Sequence, residues 1–189
     1  MGRDKALLPY GDSTFLAHLV ALFLARLQPV MVVLGHHAER IRRALPSSPG
    51  LEVVINENYR AGQFSSLQAG LRALPPETAA AMVTLVDHPA VAGATLDALL
   101  ERCAAGQPPL LIPRHDGRRG HPVIFSRLLI DEILALAPEA SAKQVVHAHL
   151  GEAVLLDTGD PGVLRDIDTP EDYAPLSGGL KPSGANLRR

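Results

Sequence analysis

Asp87 ends a run, Ala81 to Val86, that is apolar except for Thr84, and His88 and Pro89 follow it directly. A carboxylate at the lip of a buried strand can hold a hard cation that bridges phosphate oxygens. The same residue can equally cap a helix or close a turn. Near the other end, Asp166 and Asp168 alternate with Ile167, so their side chains share one face of extended chain. Thr169-Pro170-Glu171 reads as a helix start with proline at its first position, and acids there also suit the helix dipole. Two strand-end aspartates from distant parts of the chain, Asp87 and Asp168, make a shared metal site a concrete candidate.

Lys5 lies in a loop between Gly2 and Gly11, just ahead of a predicted helix. It could meet an anionic phosphate chain or simply be a solvated lysine. Asn56 through Gly62 to Ser65-Ser66 is a polar turn between a strand and a helix. Its N–H groups and hydroxyls could touch a nucleotide's sugar or base, or cap the helix. Arg114-His115-Asp116-Gly117-Arg118-Arg119-Gly120-His121 precedes Pro122 as a local positive patch, an anion site or an exposed hairpin. The histidines suggest no metal centre. His36 and His37 are adjacent and expected to point apart on a helix, and His147 and His149 lack the one-turn spacing of a zinc-binding helix.

These residues need a scaffold to bring them together. Asp12-Ser13-Thr14 is an N-cap signal before an apolar helix, Phe15 to Leu27, that Pro29 closes. Its apolar circumference implies burial on more than one side. Val30 to Leu34 is an apolar run ending at Gly35, the pattern of a strand covered on both faces. The alternation continues with a helix over His37 to Leu45 and a strand at Leu51 to Ile55. Phe64, Leu67, Leu71 and Leu74 mark the next helix, Ala81 to Val86 the next strand, and Leu96 to Cys103 the next helix. Leu110 to Ile112 and Pro122 to Phe125 are two strands separated by the polar loop. Helices at Leu128 to Ala137 and Ser141 to Leu150 precede a last strand at Ala153 to Leu156. Such alternation means right-handed crossovers on a mainly parallel sheet. The predicted fold is an α/β three-layer sandwich with helices on both faces and ligands at the carboxyl ends of the strands. The loop from Met1 to Gly11 enters a helix with no strand before it, so the chain reads as starting one strand late. Residues 1–175 are expected to form a single domain, and Leu176 to Arg189 a disordered tail.

The composition narrows the function. The chain has 189 residues, 18 Lys and Arg against 20 Asp and Glu, and 47% hydrophobic residues. One domain with a full core is expected. The balanced charge argues against a nucleic-acid binder. A single cysteine, Cys103, excludes a disulfide framework and a cysteine zinc site and suits a reducing compartment. No run approaches the ~18 apolar residues of a membrane span, and no signal core follows the N-terminus. A cytoplasmic protein is the default expectation.

Taken in order, these segments resemble the molybdenum cofactor cytidylyltransferases, within the MobA-like NTP transferases. That pattern opens with a strand and LAAGxSxRMGxxKxLLPxG. Met1-Gly2, Lys5, Leu7-Leu8-Pro9 and Gly11 match its second half, and Leu34-Gly35-His36 its LGH. Asn56, Tyr59, Gly62, Ser65-Ser66-Leu67 and Gly70 match NxxYxxGxxSSLxxG. Leu85 to Pro89 is similar to LxDQP, Gly117 to Pro122 to GxxGHP, and Asp166 to Tyr173 matches DIDTPEDY. The resemblance implies a nucleotide-diphospho-sugar transferase-like, Rossmann-like fold, with the first strand absent. It implies that the terminal phosphate of molybdopterin attacks the α-phosphorus of CTP and expels pyrophosphate. Asp87 and Asp168 would hold Mg²⁺, and Lys5 would neutralise phosphate charge. Gly2, Asn56, Ser65 and Ser66 would lie by the nucleotide, and Arg119, Gly120, His121 and Pro122 would face the pterin.

A molybdenum hydroxylase is the implied recipient. His88 stands where the family has glutamine, and the LAAGxSxR half with its central strand is missing. Losing that strand would leave two neighbours unpaired around apolar surface, so poor folding or activity is expected of the chain as written, from a late start or a truncated gene. A GTP-using or sugar-phosphate nucleotidyltransferase and a non-catalytic carrier of the cofactor are the alternative readings.

Overall fold

The computed structural model describes residues 4–168 and 172–173. Gly2, the helix start expected at Thr169 to Glu171 and the expected tail lie outside the described residues. β1 (Pro9–Tyr10) and β2 (Ser13–Thr14) form an antiparallel ribbon around Gly11, which takes φ +58°. Thr14 then caps α1 (Phe15–Leu24), its hydroxyl accepting the Ala17 N–H at 3.2 Å, as the N-cap signal implies. α1 packs into three separate apolar clusters through Val20, Leu19 with Phe23, and Phe15, so it is buried on more than one side. It stops at Leu24 rather than Leu27. Pro29 disfavours helical backbone at Gln28, and Arg26 turns its guanidinium to the Leu22 carbonyl and to Asp97.

β3 (Val30–Leu34) and β4 (Leu51–Ile55) pair in parallel, Val30 opposite Leu51 through Leu34 opposite Ile55, across α2 (Ala38–Ala44). α3 (Gln63–Arg72) precedes β5 (Ala80–Val83), and α4 (Gly93–Gly106) precedes β6 (Leu110–His115). The chain turns back as β7 (Arg118–Arg119), then runs as β8 (Val123–Ser126) antiparallel to both β5 and β6. α5 (Arg127–Ala135) and α6 (Ala142–Ala148), the latter opened by a Ser141/Gln144 capping box, lead to β9 (Val154–Asp157). β9 is parallel to β6. β5, β6 and β9 therefore point one way, with β8 and the short β7 reversed.

The helices divide between the faces by strand alternation. Val32 and Leu34 pack with Val20 of α1 and Ile41 of α2, and Leu111 and Ile124 with Leu99 of α4. On the other face Ile112, Val123 and Phe125 meet Phe64 and Leu71 of α3, Ile130 and Ile133 of α5 and Val145 of α6. This is the three-layer α/β sandwich that the alternating pattern predicts.

The sheet is divided. β3 is bonded to β4 on one side and β5 to β8 on one side, and no ladder joins β3 to β5 among the described residues. The two free edges border a single cavity of about 1470 Å³, walled by Val20 and Phe23 of α1 and Phe64 and Gly70 of α3. β5 is also shorter than the apolar run suggests, ending at Val83 and not Val86. Its partner β8 begins only at Val123, because Pro122 has no N–H to extend the ladder.

Candidate active site

The first acid stands beyond the carboxyl end of β5. Asp87 is about a fifth exposed, and its Oδ1 is buried with no hydrogen-bond partner. The chain near the C-terminus is held against it, since the Ile167 N–H donates to the Asp87 carbonyl at 2.9 Å. Ile167 is fully buried beside Leu8 and Phe15. Its neighbours Asp166 and Asp168 are thereby turned the other way, toward Asp87. One carboxylate oxygen from each of Asp87, Asp166 and Asp168 lies within 4.8 Å of the other two. This geometry brings together Asp87 and Asp168, as the sequence suggests, and adds Asp166. The Asp-Ile-Asp alternation was the signal for that third acid.

Lys5 is the counter-charge. Its ammonium donates to Asp168 Oδ1 and lies 3.9 Å from Asp87 Oδ2. Partial burial works against the ammonium, but the Asp168 hydrogen bond and the fields of Asp168, Asp87 and Asp166 raise its pKa overall. The same bond holds Asp168 below the usual carboxylate range. Asp166 is pushed up, first by burial and then by Asp87 and Asp168. Three carboxylates thus share one ammonium, an excess of negative charge that a divalent cation would relieve. The all-oxygen donor set and the orphaned Asp87 Oδ1 fit a hard cation. The Lys5 loop is itself anchored, because Asp4 accepts from His37 Nδ1 at 2.8 Å and pairs with Arg40 at 3.3 Å. His36 and His37 do not point apart. Their ring centroids lie 3.7 Å apart with the planes tilted by 37°, since His37 takes a left-handed φ of 54° at the N-cap of α2.

The polar turn before α3 is mostly self-contained. Asn56 is buried and donates through Nδ2 to Ser65 Oγ at 2.9 Å and Ser66 Oγ at 3.0 Å. Ser65 is buried and donates back to the Gly62 and Asn58 carbonyls. Ser66, with Gln63, lines the cavity. Asn56 and Ser65 therefore shape the turn from beneath, and Ser66 reaches the open space.

The Arg114 to His121 segment is less positive than its sequence suggests. Arg114 is paired with Asp157 by two hydrogen bonds, at 2.7 and 2.6 Å, and His115 Nδ1 bonds the Thr158 carbonyl. His121 lies against His88, ring centroids 4.6 Å apart. Burial, then the His88 field, push its pKa down to about 4, so it is a neutral imidazole near pH 7. Local sequence reading counts it as a cation because burial is decided by distant residues. The cations left facing the cavity from this segment are Arg118 and Arg119. Gly120 and Pro122 fix the hairpin's exit. The Gly120 N–H donates to the Pro113 carbonyl and the His121 N–H to the Val163 carbonyl, both at 2.9 Å.

Residues 1–154 match the family model of the MobA-like NTP transferase domain. The chain belongs to this family. It is 21% identical over 173 residues to the molybdenum cofactor cytidylyltransferase of Escherichia coli, covering 92% of this chain and 86% of the relative. To the purine catabolism protein PucB of Bacillus subtilis it is 26% identical over 182 residues, covering 92% and 87%. Among solved structures, Rv0371c of Mycobacterium tuberculosis in complex with manganese superposes with a TM-score of 0.71 at 28% identity, over 93% of this chain and 92% of that one. This MobA-like chain is a nucleotidyltransferase with a Rossmann-like α/β fold. Manganese in a similar fold and the acidic triad together point to a divalent-metal site. No helix among the described residues is long and apolar enough to cross a membrane.

Proposed function

We propose that this chain transfers CMP from CTP to the terminal phosphate of molybdopterin and releases pyrophosphate. The observation that carries the proposal is the Asp87, Asp166 and Asp168 cluster with Lys5 at the lip of β5. The cytidylyltransferase relative and the matched motifs favour CTP and molybdopterin. An acceptor phosphate oxygen bonds to the α-phosphorus while the bond from that phosphorus to the bridging oxygen breaks, and pyrophosphate leaves with both bridge electrons. Transfer of this kind is mainly positioning and charge neutralisation.

Asp87, Asp168 and the added Asp166 would hold Mg²⁺, which when bound screens the charge of the phosphates. Lys5, already held between Asp87 and Asp168, neutralises phosphate charge from the protein side. Gly2 and Ser66 contribute to the nucleotide side, with Asn56 and Ser65 setting the turn that presents Ser66. Arg119, Gly120, His121 and Pro122 form the pterin side, where neutral His121 offers hydrogen bonds rather than charge. No enzyme nucleophile takes part.

The test is pyrophosphate release with molybdopterin and either CTP or GTP, for the wild type, Asp87→Asn and Asp168→Asn. Release with CTP that both substitutions abolish is the expected result. Turnover unaffected by both would overturn the assignment of the site. Preference for GTP would move the base assignment, and binding of molybdopterin without pyrophosphate release would identify a carrier.

A further inference from the structure

Among the described residues, four arginines are held in ion pairs and none of the four lines the cavity. Arg26 is held by Asp97, Arg40 by Asp4, Arg114 by Asp157 and Arg127 by Asp131. The cavity bordered by Asp87 has a different basic set: Arg118 and Arg119 from β7, and Lys143 and His147 from α6. Lys143 and His147 are one turn apart, so they present a common helix face. Arg118, Arg119 and Lys143 are exposed, and none has a carboxylate within ion-pair distance among the described residues. His121, the remaining imidazole of this lining, is neutral for the reason given above. On this cavity the three cations outnumber the two lining carboxylates, Glu77 and Asp87, and Asp87 already has Lys5 beside it, so the wall carries a positive excess that suits an anion.

Nucleotidyl transfer brings two anionic substrates into that cavity. The triphosphate has the carboxylate-held cation and Lys5 to offset its charge. The acceptor, a phosphate monoester, brings no cation of its own and must approach the triphosphate against like-charge repulsion. We propose that Lys143 and His147 of α6, facing the same cavity as Arg118 and Arg119, form the wall that binds the acceptor's phosphate end. α6 thereby becomes a specificity element for the acceptor, and Lys143 a substrate-binding residue that neither the motifs nor the acidic cluster indicates. The inference rests on the nucleotidyl-transfer reading and adds where the second substrate lies.

Calorimetric titration of the full chain with molybdopterin, and separately with Mg·CTP, tests it without requiring turnover. Lys143→Ala and Arg118→Ala are each expected to weaken molybdopterin binding five- to tenfold and to leave the Kd for Mg·CTP within twofold. Lys143→Arg, which keeps the charge, restores binding to near the wild-type value. Raising the salt from 50 to 500 mM narrows the gap between wild type and Lys143→Ala, because the lost interaction is screened. An unchanged molybdopterin Kd in a double Lys143→Ala, Arg118→Ala variant with the wild-type Tm overturns the inference while leaving nucleotidyl transfer intact. Equal weakening of both ligands overturns it too, since the wall then serves the triphosphate. A wild-type chain that binds neither ligand refutes the nucleotidyl-transfer reading itself.

Discussion

Gly120→Ala adds one methyl group where the fold has no room for it. A Cβ at Gly120 would lie 2.2 Å from the Val163 carbonyl oxygen and 2.7 Å from its carbon. These are backbone atoms of a fully buried residue, so no side-chain rotation relieves the overlap. The Val163 carbonyl cannot move alone, because it accepts the His121 N–H at 2.9 Å, while Gly120 donates to Pro113 on the other side. The substitution must therefore either shift the turn at Pro161–Leu164 or pull His121 and Pro122 away from it.

Forced overpacking of this kind costs about 1–3 kcal/mol. For a chain of this length each kcal/mol lowers Tm by about 2–4 °C, giving a drop of roughly 2–12 °C. Thermal unfolding followed by circular dichroism measures it, with Gly159→Ala as control. Gly159 has open space around its Cβ position and no positive φ, so alanine there is neutral or stabilising by up to about 1 kcal/mol. The displaced hairpin also carries Arg119, so Gly120→Ala weakens molybdopterin binding as well. Equal Tm values for Gly120→Ala and the wild type would show that the close approach at Val163 is not as described and that the hairpin is not fixed by it.

Lys5→Met removes the ammonium shared by Asp168 and Asp87, and pyrophosphate release is expected to fall on the order of 10²-fold; a kcat within threefold of wild type would contradict that role. His121 has a folded-state pKa of about 4, below its ordinary 6.5, so the unfolded chain takes up the proton first as the pH drops. Its contribution is fully present above about pH 6.5 and is lost toward pH 4, with a slope of one proton. Urea midpoints across that range should fall more steeply for the wild type than for His121→Gln, and parallel profiles would count against the burial of His121. The apolar cavity between β3 and β5 should bind 8-anilinonaphthalene-1-sulfonate at neutral pH with the near-ultraviolet circular dichroism intact. Fluorescence no greater than in buffer would mean the two strand edges are not accessible.

The element order was legible because it depends on local patterns: apolar runs bounded by Gly and Pro for β3, the Thr14 cap for α1, and the 3.6-residue period of α3. The Asp87 position followed from that order, since the residue after a buried strand faces the ligand side of such a sheet. Other features depend on partners far along the chain. The length of β5 is set by where Pro122 lets β8 begin, and the charge of His121 by the burial that His88 and the hairpin impose. Which arginines remain unneutralised is decided by Asp157 and Asp97, distant in sequence from Arg114 and Arg26.

By itself, the sequence determined the α/β alternation, the family motifs and the acid residues available, all of which are carried by residue type and short-range spacing. Only the tertiary structure decided that Asp166 joins Asp87 and Asp168, that His121 is buried against His88, and that α6 borders the cavity that Asp87 borders. Those three facts depend on which distant segments pack together, and a bond such as the one from Ile167 to Asp87 leaves no trace in either segment alone.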